Sequence, residues 1–273
     1  MVRPIVTFTS DFGHQDWFVG VVHGVILGIA PDAHVVDLHH GIAAGAIARG
    51  AFVLEAAAQD FPAGTIHLAV VDPGVGTDRR ALGVSARGQT WVGPDNGLLE
   101  WALASPDAQV HSLTEEQWFR RPVSRTFHGR DVFAPVAAHL ARGVSVGSFG
   151  PRVLNPVRLP AHAPVLRGDA LEGHVVAIDC FGNALTNLTA EALARAFGAA
   201  TADDRFEISL LERSIQGLAR SYGDAPVGTL LAILGSSGRV EIAQVGGHAA
   251  ERLGIGERDP IRVRLRAQQA PVS

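Results

Sequence analysis

The chain has 273 residues, of which 47% are apolar and 18% charged, with a formal net charge of −4. That length exceeds the common single-domain size, the apolar share can fill a real core, and the composition excludes a disordered chain. No block of like charge stands out, which argues against a nucleic-acid partner, because phosphate binding needs a clustered basic face.

In chain order, Ile5 to Thr9 reads as a buried strand. Asp16 to Ile29 has helical periodicity, with Phe18, Val22, Val25, Ile26 and Ile29 on one face. Val35 to Leu38 is a second strand, Ala46 to Ala58 a second helix and Ile66 to Val71 a third strand. Ala81 to Ser85 and Thr90 to Val92 form a strand pair around Arg87-Gly88, and Leu98 to Ala104 and Asp131 to Ala141 are further helices. This alternation predicts an α/β domain over residues 1–150, with a Rossmann-like, mostly parallel sheet and flanking helices. Pro151, Pro156, Pro160 and Pro164 mark 151–170 as an extended linker. Short strands follow at Gly173 to Asp179, Arg205 to Leu211, Thr229 to Leu234, Arg239 to Ala243 and Ile261 to Leu265. They predict a smaller β domain over 171–273, a barrel or sandwich. Arg262, Arg264 and Arg266 alternate along the last strand and read as its solvated face.

Cys180 is the only cysteine, so neither a disulfide framework nor a cysteine zinc site is available. It is expected to be a small filler, since no activating partner stands beside it. Met1-Val2-Arg3-Pro4 enters a strand at once without a signal-peptide pattern, and no apolar run reaches a membrane span. The expectation is a soluble cytoplasmic protein.

Polar clusters end three of the strand-like runs: Ser10-Asp11, Asp72-Pro73 and Pro94-Asp95-Asn96. In parallel sheets ligands sit beyond the carboxyl ends of strands, so the coincidence points to one cleft. Asp11 can accept two hydrogen bonds from a ribose diol, or cap the next helix. Asp72 with Arg79 is either a salt bridge fixing the loop or a polar grip on a reactant. Arg79 cannot act as a base, but it can hold a hydroxide or an oxyanion. His128 precedes a helix start whose dipole favours neutral imidazole, the form a general base needs; the alternative is a structural histidine. His39 and His40 point to opposite faces of a strand, and no zinc-binding motif completes a metal site. Gly74-Val75-Gly76 lacks the further positions of a dinucleotide or phosphate loop. Phe181 and Asn183, in Asp179-Cys180-Phe181-Gly182-Asn183, suit a purine face and edge, or make a polar turn.

Taken in order, six segments resemble the S-adenosyl-L-methionine hydroxide adenosyltransferase family, related to the fluorinase and chlorinase. They are Thr9 to Gly13, Val71 to Gly76, Gly93 to Leu98, Thr126 to Arg130, Asp179 to Asn183 and Gly235 to Gly238. The resemblance implies an α/β domain, a C-terminal β-barrel and a homotrimer with ligand between subunits. It implies hydrolysis of S-adenosyl-L-methionine to adenosine and L-methionine, with no cofactor. Its water-handling triad falls on Asp72, Arg79 and His128. Asp11 takes the ribose position, Asp179 the methionine-ammonium position, Phe181 and Asn183 adenine positions, and Ser236 the methionine end. Asp95 and Asn96 lie in a matching segment and count as substrate-binding candidates.

Two alternatives stand beside hydrolysis: a halide adenosyltransferase and a non-catalytic adenosine-binding protein. The halide enzymes carry hydroxyl residues where this chain has Gly129 and Val75, and a tyrosine where it has Asp72, so the comparison implies water as nucleophile. Three departures from the family pattern are Ala44-Gly45 for a Pro–aromatic pair, Val245 for the usual hydrolase Asn, and Ser237 for the fluorinase Arg.

Overall fold

Three apolar runs become neighbouring parallel strands. In the computed structural model, which describes residues 3–160, 163–198 and 204–266, β1 (Ile5–Ser10) lies between β2 (His34–His39) and β3 (Ile66–Val70), and β3 pairs in parallel with β5 (Gln89–Pro94). β4 (Ala81–Ala86) and β6 (Gln109–Ser112) complete a six-stranded sheet of order β2-β1-β3-β5-β4-β6, both running antiparallel to their neighbours. β3 is buried at all five positions, as expected of a strand covered on both faces. Its residues alternate between two cores. Ile66, Leu68 and Val70 join Val6 and Phe8 under α1 (Phe18–Ile29) and α4 (Ala134–Ala141). Ala69 points the other way, with Leu82, Val84 and Trp91, under α2 (Ile47–Ala58) and the short α3 (Glu100–Leu103). The β4–β5 hairpin turns at Arg87 and Gly88, both with positive φ (54° and 71°), the geometry that matches strand twist.

The chain divides into two compact units, Met1–Pro160 and Ala161–Ser273. The boundary lies later than the expected end of the first domain at residue 150, and the expected linker of 151–170 is shared between the units. Arg152 bridges to His111, Val157 N donates to Asp95 Oδ1 (2.7 Å) and Leu159 N to Glu100 Oε2 (3.1 Å). Prolines remove donors from this segment, and carboxylates of the first unit take up these remaining ones.

In the second unit β7 (Val165–Arg167) pairs with β8 (Ala170–Ile178), using the rest of the expected linker. β9 (Ala184–Thr189), β10 (Phe206–Leu210), β11 (Arg213–Gln216), β12 (Leu230–Leu234), β13 (Arg239–Gln244) and β14 (Pro260–Leu265) complete an antiparallel sheet of order β11-β10-β14-β8-β9-β13-β12. Ala219, just past β11, bridges to Ile233 of β12 and brings the two edges together into a near-barrel. Its interior holds Val175, Leu188, Phe206, Ile208, Val240, Ile242 and Val263. α5 (Ala190–Phe197) is capped by Thr189 Oγ1 and α6 (Ala249–Leu253) by His248 Nδ1; neither helix is anticipated from the sequence. Arg262 and Arg264 do lie outside the barrel, paired with Glu172 (2.9 Å) and Glu207 (3.1 Å). Among the described residues no helix is long and apolar enough to cross a membrane.

Candidate active site

The order β2-β1-β3 means that chain connections leave β1 and β3 in opposite directions, which opens a crevice beyond their carboxyl ends. Asp11 follows β1 and Asp72 follows β3, so both acids stand at this switch point. After Asp72 the chain turns tightly, with Val75 N donating to Asp72 O (3.2 Å) and Thr77 Oγ1 to Gly74 O (2.7 Å). The turn returns Arg79 to Asp72. Arg79 Nε lies 2.9 Å and 3.0 Å from the two carboxylate oxygens, and Nη2 donates to Oδ2 as well. Only 11% of the Arg79 side chain and 5% of the Asp72 side chain are exposed, so the pair is shielded from water. The guanidinium carbon also sits 5.2 Å from the Phe133 ring centre.

The same Arg79 Nη2 lies 2.8 Å from His128 Nδ1. A guanidinium only donates, so Nδ1 must accept and a neutral His128 carries its proton on Nε2. Burial, then the Arg79 charge, push the His128 pKa below its ordinary value, against the weaker pull of Asp72 and Asp131.

His128 is held by its loop. It precedes a π-helical turn, Gly129–Phe133, which runs into α4. The fully buried Asp131 accepts from Ser124 N (2.8 Å), Arg130 Nε (2.7 Å) and Nη2 (2.8 Å), and Arg120 Nη1 (3.2 Å). Sequence reasoning missed this organiser, because an acid at a helix start reads as a surface group. The Asp72 loop presses on the same segment: a Cβ at Gly76 would fall 2.2 Å from the Arg125 carbonyl oxygen.

Asp11 joins this neighbourhood through Gly45. Gly45 N donates to Asp11 Oδ2 (2.8 Å), and a Cβ at Gly45 would lie 3.6 Å from Pro73 Cβ. The Phe12 ring packs against Gly129, beside His128. The first unit therefore gathers Asp11, Asp72, Arg79 and His128 into adjoining loops. Asp95 and Asn96 brace the frame. Asp95 accepts from Arg80 Nε (2.6 Å) and Val157 N (2.7 Å). Asn96 Nδ2 donates to Val71 O (2.9 Å) next to Asp72, and its Oδ1 accepts from Leu98 N (3.1 Å).

In the second unit Asp179 organises the turn after β8. Its Oδ1 accepts from Phe181 N (2.9 Å) and Asn183 N (2.8 Å), and its Oδ2 from Asn183 Nδ2 (2.9 Å). This is the polar-turn arrangement, and it leaves the Phe181 ring 73% exposed. Cys180 is exposed on the same turn and not a filler, because the residue lies past the strand end. Ser236 is exposed between β12 and β13. Nearby, buried Glu241 accepts from Tyr222 Oη (3.1 Å); burial raises the Glu241 pKa and pushes Tyr222 up to about 12. Neither was anticipated, since a strand Glu ordinarily faces solvent. Among the described residues no group of three or more His, Cys, Asp or Glu is placed to hold a metal ion.

An α/β unit with an Asp–Arg–His cluster at its switch point, followed by an antiparallel near-barrel, defines a two-unit protein with a polar cluster beyond the carboxyl ends of its parallel strands. The chain belongs to the SAM hydroxide adenosyltransferase family, whose N-terminal domain matches residues 6–150 and C-terminal domain residues 173–262. It is 42% identical over 269 residues to the (R)-S-adenosyl-L-methionine hydrolase of Salinispora arenicola, covering 95% of this chain and 97% of that one. The hydrolase of the same name from Thermus thermophilus is 40% identical over 273 residues, covering 96% and 100%. A fluorinase from Nocardia brasiliensis is more distant, 29% identical over 68% of this chain and 71% of its own. A solved structure of a conserved protein from Thermotoga maritima superposes with a TM-score of 0.89 at 33% identity, covering 95% of this chain and 99% of that one.

Proposed function

We propose that the chain hydrolyses (R)-S-adenosyl-L-methionine to adenosine and L-methionine by attack of water or hydroxide on the ribose C5′. The reading is supported most directly by one contact, the Arg79 Nη2 shared between Asp72 and His128. The new bond is oxygen to C5′, and the bond that breaks is C5′ to sulfur. Its electron pair stays on sulfur, so methionine leaves as a neutral thioether and needs neither an acid nor a cofactor. The water proton is lost to solvent or to a nearby base.

Free hydroxide is scarce at neutral pH because bulk water has a pKa of about 15.7, so the site must favour it. Arg79 supplies a fixed positive charge, and the remaining proton of neutral His128 is a donor on Nε2. Together they suit a held hydroxide better than proton removal by His128, whose acceptor nitrogen already faces Arg79. Hydroxide and sulfonium neutralise each other on reaction, which a dry site favours. Asp11 is assigned to the ribose hydroxyls, Phe181 and Asn183 to adenine, Asp179 and Ser236 to the methionine end, and Asp95 and Asn96 to the substrate-facing loops. The chain acts as a cytoplasmic homotrimer with sites between subunits.

The test is turnover of the (R) sulfonium epimer in water labelled with heavy oxygen. One labelled oxygen per adenosine is expected, at the 5′ position. Unlabelled adenosine, or a 5′-halo product that rises with chloride, overturns the proposal.

A further inference from the structure

A hydrogen-bonded chain lies directly behind Asp11. Ser10 Oγ is 2.6 Å from His40 Nδ1, and His40 Nε2 is 2.9 Å from Asp37 Oδ1. The same Asp37 oxygen is 2.8 Å from Nε2 of His23, on α1. Ser10 and His40 are both fully buried, whereas Asp37 and His23 reach solvent. The Asp11–Arg79–His128 loops described above do not use these groups.

The polarity of the chain is fixed by chemistry. An ionised Asp37 only accepts, so His40 and His23 both donate to it from Nε2. A neutral His40 then has only a lone pair on Nδ1, and Ser10 must donate its hydroxyl proton there. Ser10 Oγ is left to accept from Phe12 N (3.3 Å). His40 also holds the loop by its backbone, since its carbonyl accepts from Gly13 N (2.8 Å). Asp11 is thus bracketed on both sides by contacts that end on His40. Phe8 (4.6 Å) and His14 (5.1 Å) wall the ring, and burial lowers the His40 pKa against the pull of Asp37, which keeps the ring neutral.

We infer that His40 is a positioning residue for the Asp11 carboxylate, acting through Ser10 and the 10–13 backbone to aim it at a ribose diol. This rests on the proposed ribose role of Asp11. An Asp–His–Ser chain in this order resembles a nucleophile relay, but the buried Ser10 hydroxyl has no access to a reactant. Its geometry suits the transmission of position. Asp11 Oδ2 is tied to Gly45 N, and Oδ1, which accepts no hydrogen bond among the described residues, is the oxygen such aiming would direct.

The test compares adenosine with 2′,3′-dideoxyadenosine, which lacks the hydroxyls that Asp11 would accept, by calorimetric titration of the full-length protein. The readout is the ratio of the two affinities, which general loosening of the site does not change selectively. Asp11→Ala is the reference and should reduce the preference for adenosine about tenfold or more, as for loss of a hydrogen bond to a charged group. Ser10→Ala and His40→Ala should each reduce it at least about threefold. Ser10→Ala deletes one oxygen and keeps the test open if His40→Ala fails to fold. An unchanged ratio in Ser10→Ala, with the Asp11→Ala ratio collapsed, overturns the His40 assignment alone. An unchanged ratio in Asp11→Ala overturns the ribose reading of Asp11 and the inference with it.

Discussion

At the scale of single residues, the position of one proton on His128 decides how the site works. Its Nδ1 faces Arg79, a group that cannot accept, so the ring lends Arg79 an acceptor and presents an N–H elsewhere. His128→Ala should lower kcat by roughly 10²–10³, as for loss of one donor to an oxyanion. His128→Asn separates two roles, because an amide oxygen can accept from Arg79 but cannot serve as a base. Partial recovery of kcat in the Asn variant is expected; activity equal to that of His128→Ala would restore the base assignment. The pH dependence has a definite sign. The His128 pKa is lowered from 6.5 by burial and by Arg79, so the neutral ring is the folded-state form. Protonation would put an N–H on Nδ1 against the N–H of Arg79. The stabilisation from this contact is present above the unfolded pKa and is lost as pH falls through the folded one. A kcat/KM profile should therefore fall on the acid side with a midpoint below 6.5, and that limb should disappear in His128→Asn.

At the scale of elements, the site depends on how closely two loops pass. Gly76 has a φ of 77°, and a Cβ there would meet the Arg125 carbonyl at 2.2 Å. Gly76→Ala should cost about 1–3 kcal/mol from backbone strain and contact. Because the two loops carry Arg79 and His128, kcat should drop by more than the melting temperature would imply; a normal kcat with a lowered melting temperature would show that the loops need not touch. Such convergence explains what the sequence could and could not tell. β1, β3 and β5 were legible because apolar runs end abruptly in Asp11, Asp72 and Asp95, and a strand period is local. The Asp72–Arg79 pairing was legible as a possibility over seven residues. The Arg79–His128 contact spans 49 positions, too far for a local pattern to fix, and the resemblance assigned the two residues to one triad. β9 was hidden because Thr186 and Asn187 interrupt its short apolar run, while pairing with β8 and β13 makes Ala184–Thr189 a strand. The role of Pro151 to Pro160 was hidden for a related reason. An extended proline-rich segment has no periodicity; the bridge to His111 and the Asp95 and Glu100 acceptors show where it packs.

At the scale of the whole molecule, the candidate residues are split between the two units of one chain. Asp11, Asp72, Arg79 and His128 belong to the first, and Asp179, Phe181, Asn183 and Ser236 to the second. The proposed homotrimer would complete each site with the first unit of one subunit and the second unit of the next. Such a head-to-tail contact closes into a ring of three equivalent sites. The arrangement predicts complementation between two dead variants. Asp72→Asn leaves the second unit intact, and Asn183→Ala leaves the first intact. If equal amounts are unfolded together and reassembled, each site draws its two halves independently, so about a quarter of the sites receive both intact halves by ring closure. Hydrolysis of S-adenosyl-L-methionine should then return to about a quarter of the wild-type rate, although each variant alone remains inactive. Sites formed within one chain would give no recovery at any mixing ratio. Recovery that follows the product of the two mole fractions as the ratio is varied would identify sites assembled from one half of each neighbour.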